Sequence, residues 1–240
     1  MDSCLSSFKS IIIWFTGVSF FIVFFPVFFF FLMFFPREIT YKIGVFYFKI
    51  LIKIMGIDLK INGIEKIDLK KTYIIMANHQ SLFDLFILPC SIPKPFVGIE
   101  ASYHFKIPFW GWIIKKWGNI PINRHDKNKA IKSIKKAEKI LNKGVSIVIL
   151  PEGHRTITGK IGEFKKGGFY LAKNTKKDIL PLGISKSLYY FKNKNSWKIK
   201  SQKVVVNIGK PVTYTLYKDL SIDQLANKVK EKILTLSQQN

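Results

Sequence analysis

The chain reads as an α/β protein: a mixed, largely parallel sheet flanked by helices, preceded by an N-terminal hydrophobic membrane helix or two-helix hairpin. Three observations predict this. Residues 11 to 35 carry no charge and hold eleven phenylalanines. From about residue 57 onward, short apolar runs alternate with amphipathic stretches, the pattern of strands exchanging with helices. A length of 240 residues with 48% apolar content suffices for one substantial core plus an appendage.

As a straight helix, residues 11 to 35 extend about 37 Å against about 30 Å of hydrocarbon, long enough to span with tilt. Pro26 interrupts the run near its middle, and Pro36 with Arg37 stops it. The run is too long for a cleaved signal peptide and no small-residue cleavage site follows it. The next stretch, ITYKIGVFYFKILIKIMG (39 to 56), spaces Lys42, Lys49 and Lys53 among aromatics and isoleucines. That pattern suits an amphipathic helix at headgroup level with its lysines reaching into water. Two geometries stay open, a single span or two helices dipping into one leaflet. For a span, the basic residues after Pro36 outnumber the lone Lys9 before the run, which puts the rest of the chain in the cytoplasm.

Five short runs then read as buried strands: TYIIMA (72 to 77), PFVGI (95 to 99), NIPIN (119 to 123), VSIVIL (145 to 150) and ILPLGI (179 to 184). Between the third and fourth, DKNKAIKSIKKAEKILNKG predicts a helix with Asp126 as N-cap and Gly144 as its stop. Ala130, Ile134, Ala137 and Leu141 share one face of it. KVVVNIGKPV reads as a further strand. SIDQLANKVKEKIL is a closing helix opened by the capping box Ser221 to Gln224.

Of 39 basic residues only three are arginine (Arg37, Arg124, Arg155), and the net charge is +24. Such a balance favours polyanionic partners. No nucleic-acid-reading module is present, which leaves an anionic membrane surface and acidic or polyanionic carriers rather than nucleic acid. Cys4 and Cys90 are too few and too far apart for a disulfide framework, and read as free thiols.

Three stretches carry chemistry. NHQSLFD (78 to 84) follows a strand and places a histidine and an aspartate five apart. Within one helix they would point about 140° apart, so His79 and Asp84 meet only if His79 sits on the turn ahead of the helix. Ser81-x-x-Asp84 is a capping-box pattern that makes Ser81 the expected N-cap. Asp84 then either orients the imidazole for general-base work or merely caps the helix beside a loop histidine. GNIPINR (118 to 124) ends a strand with Arg124, whose planar bidentate donor suits a phosphate. LPEGHRT (150 to 156) leaves another strand. In it Gly153 permits a tight turn with exposed N–H groups, and Glu152 with Arg155 could meet polar headgroup atoms. EFKKGGFYLA (163 to 172) adds Lys165 and Lys166 before a glycine pair and a short helix, a plausible approach for an anion. His104 and His125 give no reason to depart from a structural or exposed role.

Together these blocks resemble the glycerolipid acyltransferases that carry an H-x4-D motif, the family of 1-acyl-sn-glycerol-3-phosphate acyltransferase. They comprise Asn78, His79 and Asp84; Gly118, Ile122 and Arg124; Pro151, Glu152, Gly153 and Arg155; Phe164, Lys165 and Gly167; and Leu180 with Pro181. The resemblance covers roughly residues 55 to 215. It implies a membrane-anchoring segment (1–56) and an acyltransferase domain (57–240). It also implies His79 as general base oriented by Asp84, and an acceptor site built from Arg124, Arg155 and Lys165, with Glu152 and Gly153 binding the glycerol or shaping their loop.

No metal and no cofactor are expected. The acyl thioester, as acyl-coenzyme A or acyl-acyl-carrier protein, is a substrate. The expected acceptor is membrane-borne 1-acyl-sn-glycerol-3-phosphate, converted to phosphatidic acid on the cytoplasmic face of the cell membrane. Two blocks depart from the usual pattern: His154 stands where threonine is usual and Pro121 where phenylalanine is, both flanking the implied substrate pocket. The rivals are a sister acyltransferase acting on glycerol-3-phosphate or another lysolipid, and a basic membrane-tethered lipid-binding protein without turnover. A hydrolase is disfavoured because no G-x-S-x-G elbow occurs.

Overall fold

The computed structural model describes residues 2–124 and 126–239, with side chains from Ser6 onward; His125 and the thiol of Cys4 lie outside the described set. Two antiparallel helices open the chain, α1 (Asp2–Phe34) and α2 (Arg37–Ile54), turning at Pro36. The expected interruption at Pro26 does not occur. α1 runs through it, because an apolar helix loses only one backbone bond at a proline and keeps the rest of its ladder.

Seven strands follow in the sheet: β1 (Ile57–Asn62), β2 (Ile74–Ala77), β3 (Phe96–Ala101), β4 (Ile120–Ile122), β5 (Ser146–Ile149), β6 (Ile179–Ile184) and β7 (Gln202–Ile208). Their order is β1-β7-β6-β2-β5-β3-β4, and every pair is parallel except β6 with β7. Six correspond to sequence-predicted runs. β1 does not, although IDLKIN alternates apolar and polar residues as an edge strand should.

The remaining helices are α3 (Asp84–Ser91), α4 (Trp110–Trp117), α5 (Lys127–Asn142), α6 (Gly167–Thr175), α7 (Ser187–Phe191) and α8 (Ile222–Gln238). Asp126 caps α5 by accepting from Lys129 N at 3.0 Å, and Ser221 with Gln224 forms the full capping box of α8, both as the sequence predicts.

The strands' period of two divides the core. Ile75, Ala77, Leu180, Leu182 and Val204 pack on the hairpin side, against Tyr47, Leu51, Ile52 and Met55 of the α2 end and against α3. Ile74, Met76, Ile147 and Ile179 pack on α5, α6 and α8 through Ala137, Phe169 and Leu225. Burying each such aliphatic side chain is worth about 1.5–3 kcal/mol. Because α2 contributes to the first cluster, the hairpin shares the core of the sheet.

α1 touches the folded chain along most of its length. Ser10 Oγ accepts from Ile199 N at 3.1 Å, Trp14 Nε1 donates to Trp197 O at 2.8 Å, Phe20 stacks on Tyr47, and Phe29 stacks on Trp112. Its other face is bare: Phe15 is 74% and Phe34 71% exposed. Arg37 closes the hairpin by donating to Trp117 O at 2.8 Å at the end of α4. The rarity of arginine therefore marks a structural role here.

Candidate active site

β2, β4 and β5 are mutually parallel through β3, so the residues leaving them gather at one edge of the sheet, where open α/β sheets place ligands. Asn78 extends β2 with its side chain. Its Oδ1 accepts from Ile184 N at 2.7 Å and its Nδ2 donates to Ile184 O at 2.8 Å, a substitute ladder across to β6. That anchors the residue before His79. His79 itself is held through its backbone: its N–H donates to Glu152 Oε1 at 2.7 Å and its carbonyl accepts from Thr156 N at 2.9 Å.

The chain then turns back, and Asp84 opens α3. Asp84 Oδ2 accepts from His79 Nδ1 at 2.5 Å, from Gln80 N at 2.9 Å and from Ser81 N at 3.2 Å. A carboxylate only accepts, so the imidazole proton sits on Nδ1 and Nε2 is left with its lone pair. Asp84 is 2% exposed and the His79 side chain 21%, so the carboxylate is sealed while the ring remains reachable. The first turn of α3 further favours the negative charge.

One expectation fails locally. Ser81 is not the N-cap: Phe83 occupies that position without a side-chain bond. Ser81 Oγ donates instead to Lys192 O at 2.7 Å, a carbonyl brought in from α7 that competes successfully for the hydroxyl.

Glu152 is 2% exposed, with both oxygens engaged, Oε1 by His79 N–H and Oε2 by Gly162 N–H at 2.8 Å. Burial raises its carboxyl above the usual range, and the two backbone bonds pull the other way. Of its two expected roles, the geometry gives it that of shaping the loop and takes it away from the glycerol.

Gly153 adopts φ +79, as a tight turn requires, but its N–H is spent on Leu150 O at 3.0 Å, so the expected exposed donor at this glycine is absent. Arg124 reaches across to donate to Gly153 O and lies over that glycine. Arg155 adjoins Thr156, which is bonded to His79.

Lys165 is exposed, and its backbone N–H donates to Pro151 O at 2.8 Å. Lys166 is committed to Asp223 at 2.7 Å. The structure thus brings His79, Asp84, Arg124, Glu152, Gly153 and Arg155 together, and Lys165 joins them at the backbone. Of the two departures, His154 is exposed, and Pro121 C=O accepts from Ser133 Oγ at 2.7 Å. His104 pairs with Glu100 at 3.3 Å, away from His79.

Sequence reasoning did not single out Lys192 or the tethering role of Asn78. Asn78 was visible beside the histidine; Lys192 lies 111 residues from Ser81 and carries no local signal.

Fold and site together define a class: an α/β protein with an apolar helical hairpin, holding a histidine–carboxylate pair among cations at the carboxyl edge of its sheet. The acyltransferase family model matches residues 58–185, slightly more than half of the chain. The 1-acyl-sn-glycerol-3-phosphate acyltransferase of Borreliella burgdorferi is 31% identical over 188 residues, 78% of this chain and 72% of that one. Its counterpart from Saccharomyces cerevisiae is 31% identical over 193 residues, 78% and 62% of the two chains.

A chloroplastic 1-acyl-sn-glycerol-3-phosphate acyltransferase of Brassica napus is 29% identical over 178 residues. The chain spans about half the length of that plant relative (51%). The crystal structure of a 1-acyl-sn-glycerophosphate acyltransferase from Thermotoga maritima superposes with a TM-score of 0.83 at 23% identity, over 97% of this chain and 95% of the other. The chain belongs to the acyltransferase family.

Proposed function

We propose that the protein transfers a fatty acyl group from an acyl thioester to the free hydroxyl of 1-acyl-sn-glycerol-3-phosphate, giving phosphatidic acid. The observation that carries this is the 2.5 Å contact between His79 Nδ1 and a buried Asp84, which leaves Nε2 as a base facing a cationic edge. Nε2 takes the proton of the acceptor hydroxyl as that oxygen attacks the thioester carbonyl. The departing thiolate recovers the proton from the imidazolium. Asp84 holds the ring and stabilises its charged form without being protonated.

Arg124, Arg155 and Lys165 make the surroundings attractive to a phosphate. No metal or cofactor enters the scheme. The donor is acyl-coenzyme A or acylated acyl-carrier protein, and the +24 charge would steer either polyanion toward the protein.

The working surface is the cytoplasmic leaflet. Ser6–Phe34 has a mean hydropathy of 2.5 and is long and apolar enough to cross a membrane. Contacts from Ser10 to Phe29 along the folded chain support the alternative, in which the bare face of α1 lies in one leaflet, because a helix flanked by the domain over that length cannot also cross the hydrocarbon. Lys42, Lys49 and Lys53 are all exposed on α2, as a headgroup-level helix needs.

The test is a mass-resolved transfer assay on purified full-length protein. It offers lysophosphatidate, glycerol-3-phosphate and neutral or zwitterionic lysolipids with each donor. Phosphatidate formation that His79→Ala abolishes is the expected result. Vesicle binding without turnover would replace the reading with that of a lipid-binding protein.

A further inference from the structure

Two cations flank the His79 turn on segments tied to it independently. Arg155 precedes Thr156, whose N–H is bonded to the His79 carbonyl. Lys192 follows α7, and its carbonyl takes the hydroxyl of Ser81, two residues beyond His79. The two segments are also laced to each other, since Tyr189 OH of α7 donates to Ile157 O at 2.8 Å. Lys192 is fixed behind by its own N–H on Leu188 O at 3.3 Å and by Lys200 N–H on Phe191 O at 3.0 Å. Its position is therefore set by the same bonds that set the histidine.

The electrostatics of the pair are unbalanced. Among the described residues, no carboxylate pairs with Arg155 or Lys192. The Lys192 ammonium finds only Asn193 O, at 2.7 Å. Burial, and after it the charge of Arg155, holds Lys192 below the usual lysine range. Two like charges kept together without an acid between them cost free energy, which an entering dianion reverses. Arg124 is placed differently: its guanidinium is already engaged by Gly153 O, and it braces the turn that carries Glu152.

We propose that Lys192 and Arg155 form the clamp for the phosphate monoester of the acceptor, with Arg124 acting as a positioning residue for the Gly153 turn. The assignment rests on the acyltransferase reading for the identity of the acceptor. The clamp's chemistry, recognition of a phosphate dianion by a planar and a point cation, does not depend on it.

The experiment uses full-length protein in detergent micelles. It measures equilibrium binding of lysophosphatidate and of the corresponding monoacylglycerol, which lacks the phosphate, alongside transfer kinetics. Wild type should prefer the phosphorylated lipid. Lys192→Gln should weaken lysophosphatidate binding and raise its KM by about 10- to 100-fold, the worth of one charge-assisted bond, with monoacylglycerol binding and kcat nearly unchanged. Lys192→Arg should restore most of the loss, and Arg124→Gln should lower kcat while keeping the phosphate preference.

Equal weakening for both lipids would make Lys192 merely structural and overturn the clamp, as would a wild type that binds both lipids alike. A preference lost in Arg124→Gln but kept in Lys192→Gln would also overturn it. Should wild type bind lysophosphatidate selectively through Lys192 yet transfer nothing to it, the clamp stands and the acyltransferase reading falls.

Discussion

Glu152 Oε1 lies 2.7 Å from the backbone nitrogen of His79, joining the ends of β5 and β2 through a carboxylate that has no exposure to spare for a ligand. Replacing it with alanine strands two buried N–H donors, those of His79 and Gly162, each costing about 1–3 kcal/mol. Glu152→Ala is expected to lose about 2–4 kcal/mol of stability, a large share of what a domain has. Glu152→Gln should fare little better, because its amide nitrogen would face one of those donors. Denaturant unfolding in detergent measures both, and an unchanged midpoint would remove Glu152 from the frame that holds the histidine.

Asp84 makes the complementary prediction, on rate. In Asp84→Asn the side chain keeps one acceptor oxygen, which Gln80 N and Ser81 N can still occupy, so the turn survives. What is lost is the fixed tautomer of His79 and the charge that stabilises its imidazolium. A fall of about 10²- to 10⁴-fold in transfer rate is expected, with unfolding nearly unchanged. Retained activity in a folded Asp84→Asn variant would leave the pair a structural contact.

The sequence foretold the parts that local chemistry decides. Asp126 and Ser221 cap helices because their side chains reach N–H groups three residues on. ILPLGI is a strand at its predicted bounds because nothing polar interrupts it. Ser81 shows the limit: the capping pattern was correct as a pattern, but Lys192 O, supplied from 111 residues away, took the hydroxyl. Arg37 shows another limit, since composition marks a rare arginine without saying whether it faces a ligand or a helix end. Glu152 and Arg124 were placed in the site correctly, but which atoms they touch is set by the meeting of three strand ends, and no spacing encodes that.

Gly44 tests the hairpin. A Cβ at this position would stand 2.9 Å from the Phe28 ring, so the two helices approach as closely as they do only because the residue is glycine. Gly44→Leu should push α1 off α2 and cost about 1–3 kcal/mol, the usual penalty of overpacking. Since α2 shares its core with the sheet, the thermal unfolding of the whole protein in detergent should drop, not merely its attachment to vesicles. A variant that leaves vesicles yet unfolds at the wild-type temperature would show the hairpin to be energetically separate.

Asn78 offers the sharpest separation of frame from chemistry. Both polar ends of its amide are buried against the backbone of Ile184, and neither faces the cationic edge. Asn78→Asp keeps the acceptor for Ile184 N but sets a carboxylate oxygen against the Ile184 carbonyl. Asn78→Ala removes both bonds and leaves two buried backbone groups without partners. The alanine variant should therefore lose about 2–4 kcal/mol and the aspartate variant at least as much, a buried unpaired charge being the costlier fault. Faster hydrogen exchange at the Ile184 amide reports the broken tether directly. Transfer by the surviving folded fraction should fall with it, because His79 is the next residue and its ring has only Asp84 to hold it. Wild-type exchange at Ile184 together with lost turnover would instead place Asn78 in contact with the substrate.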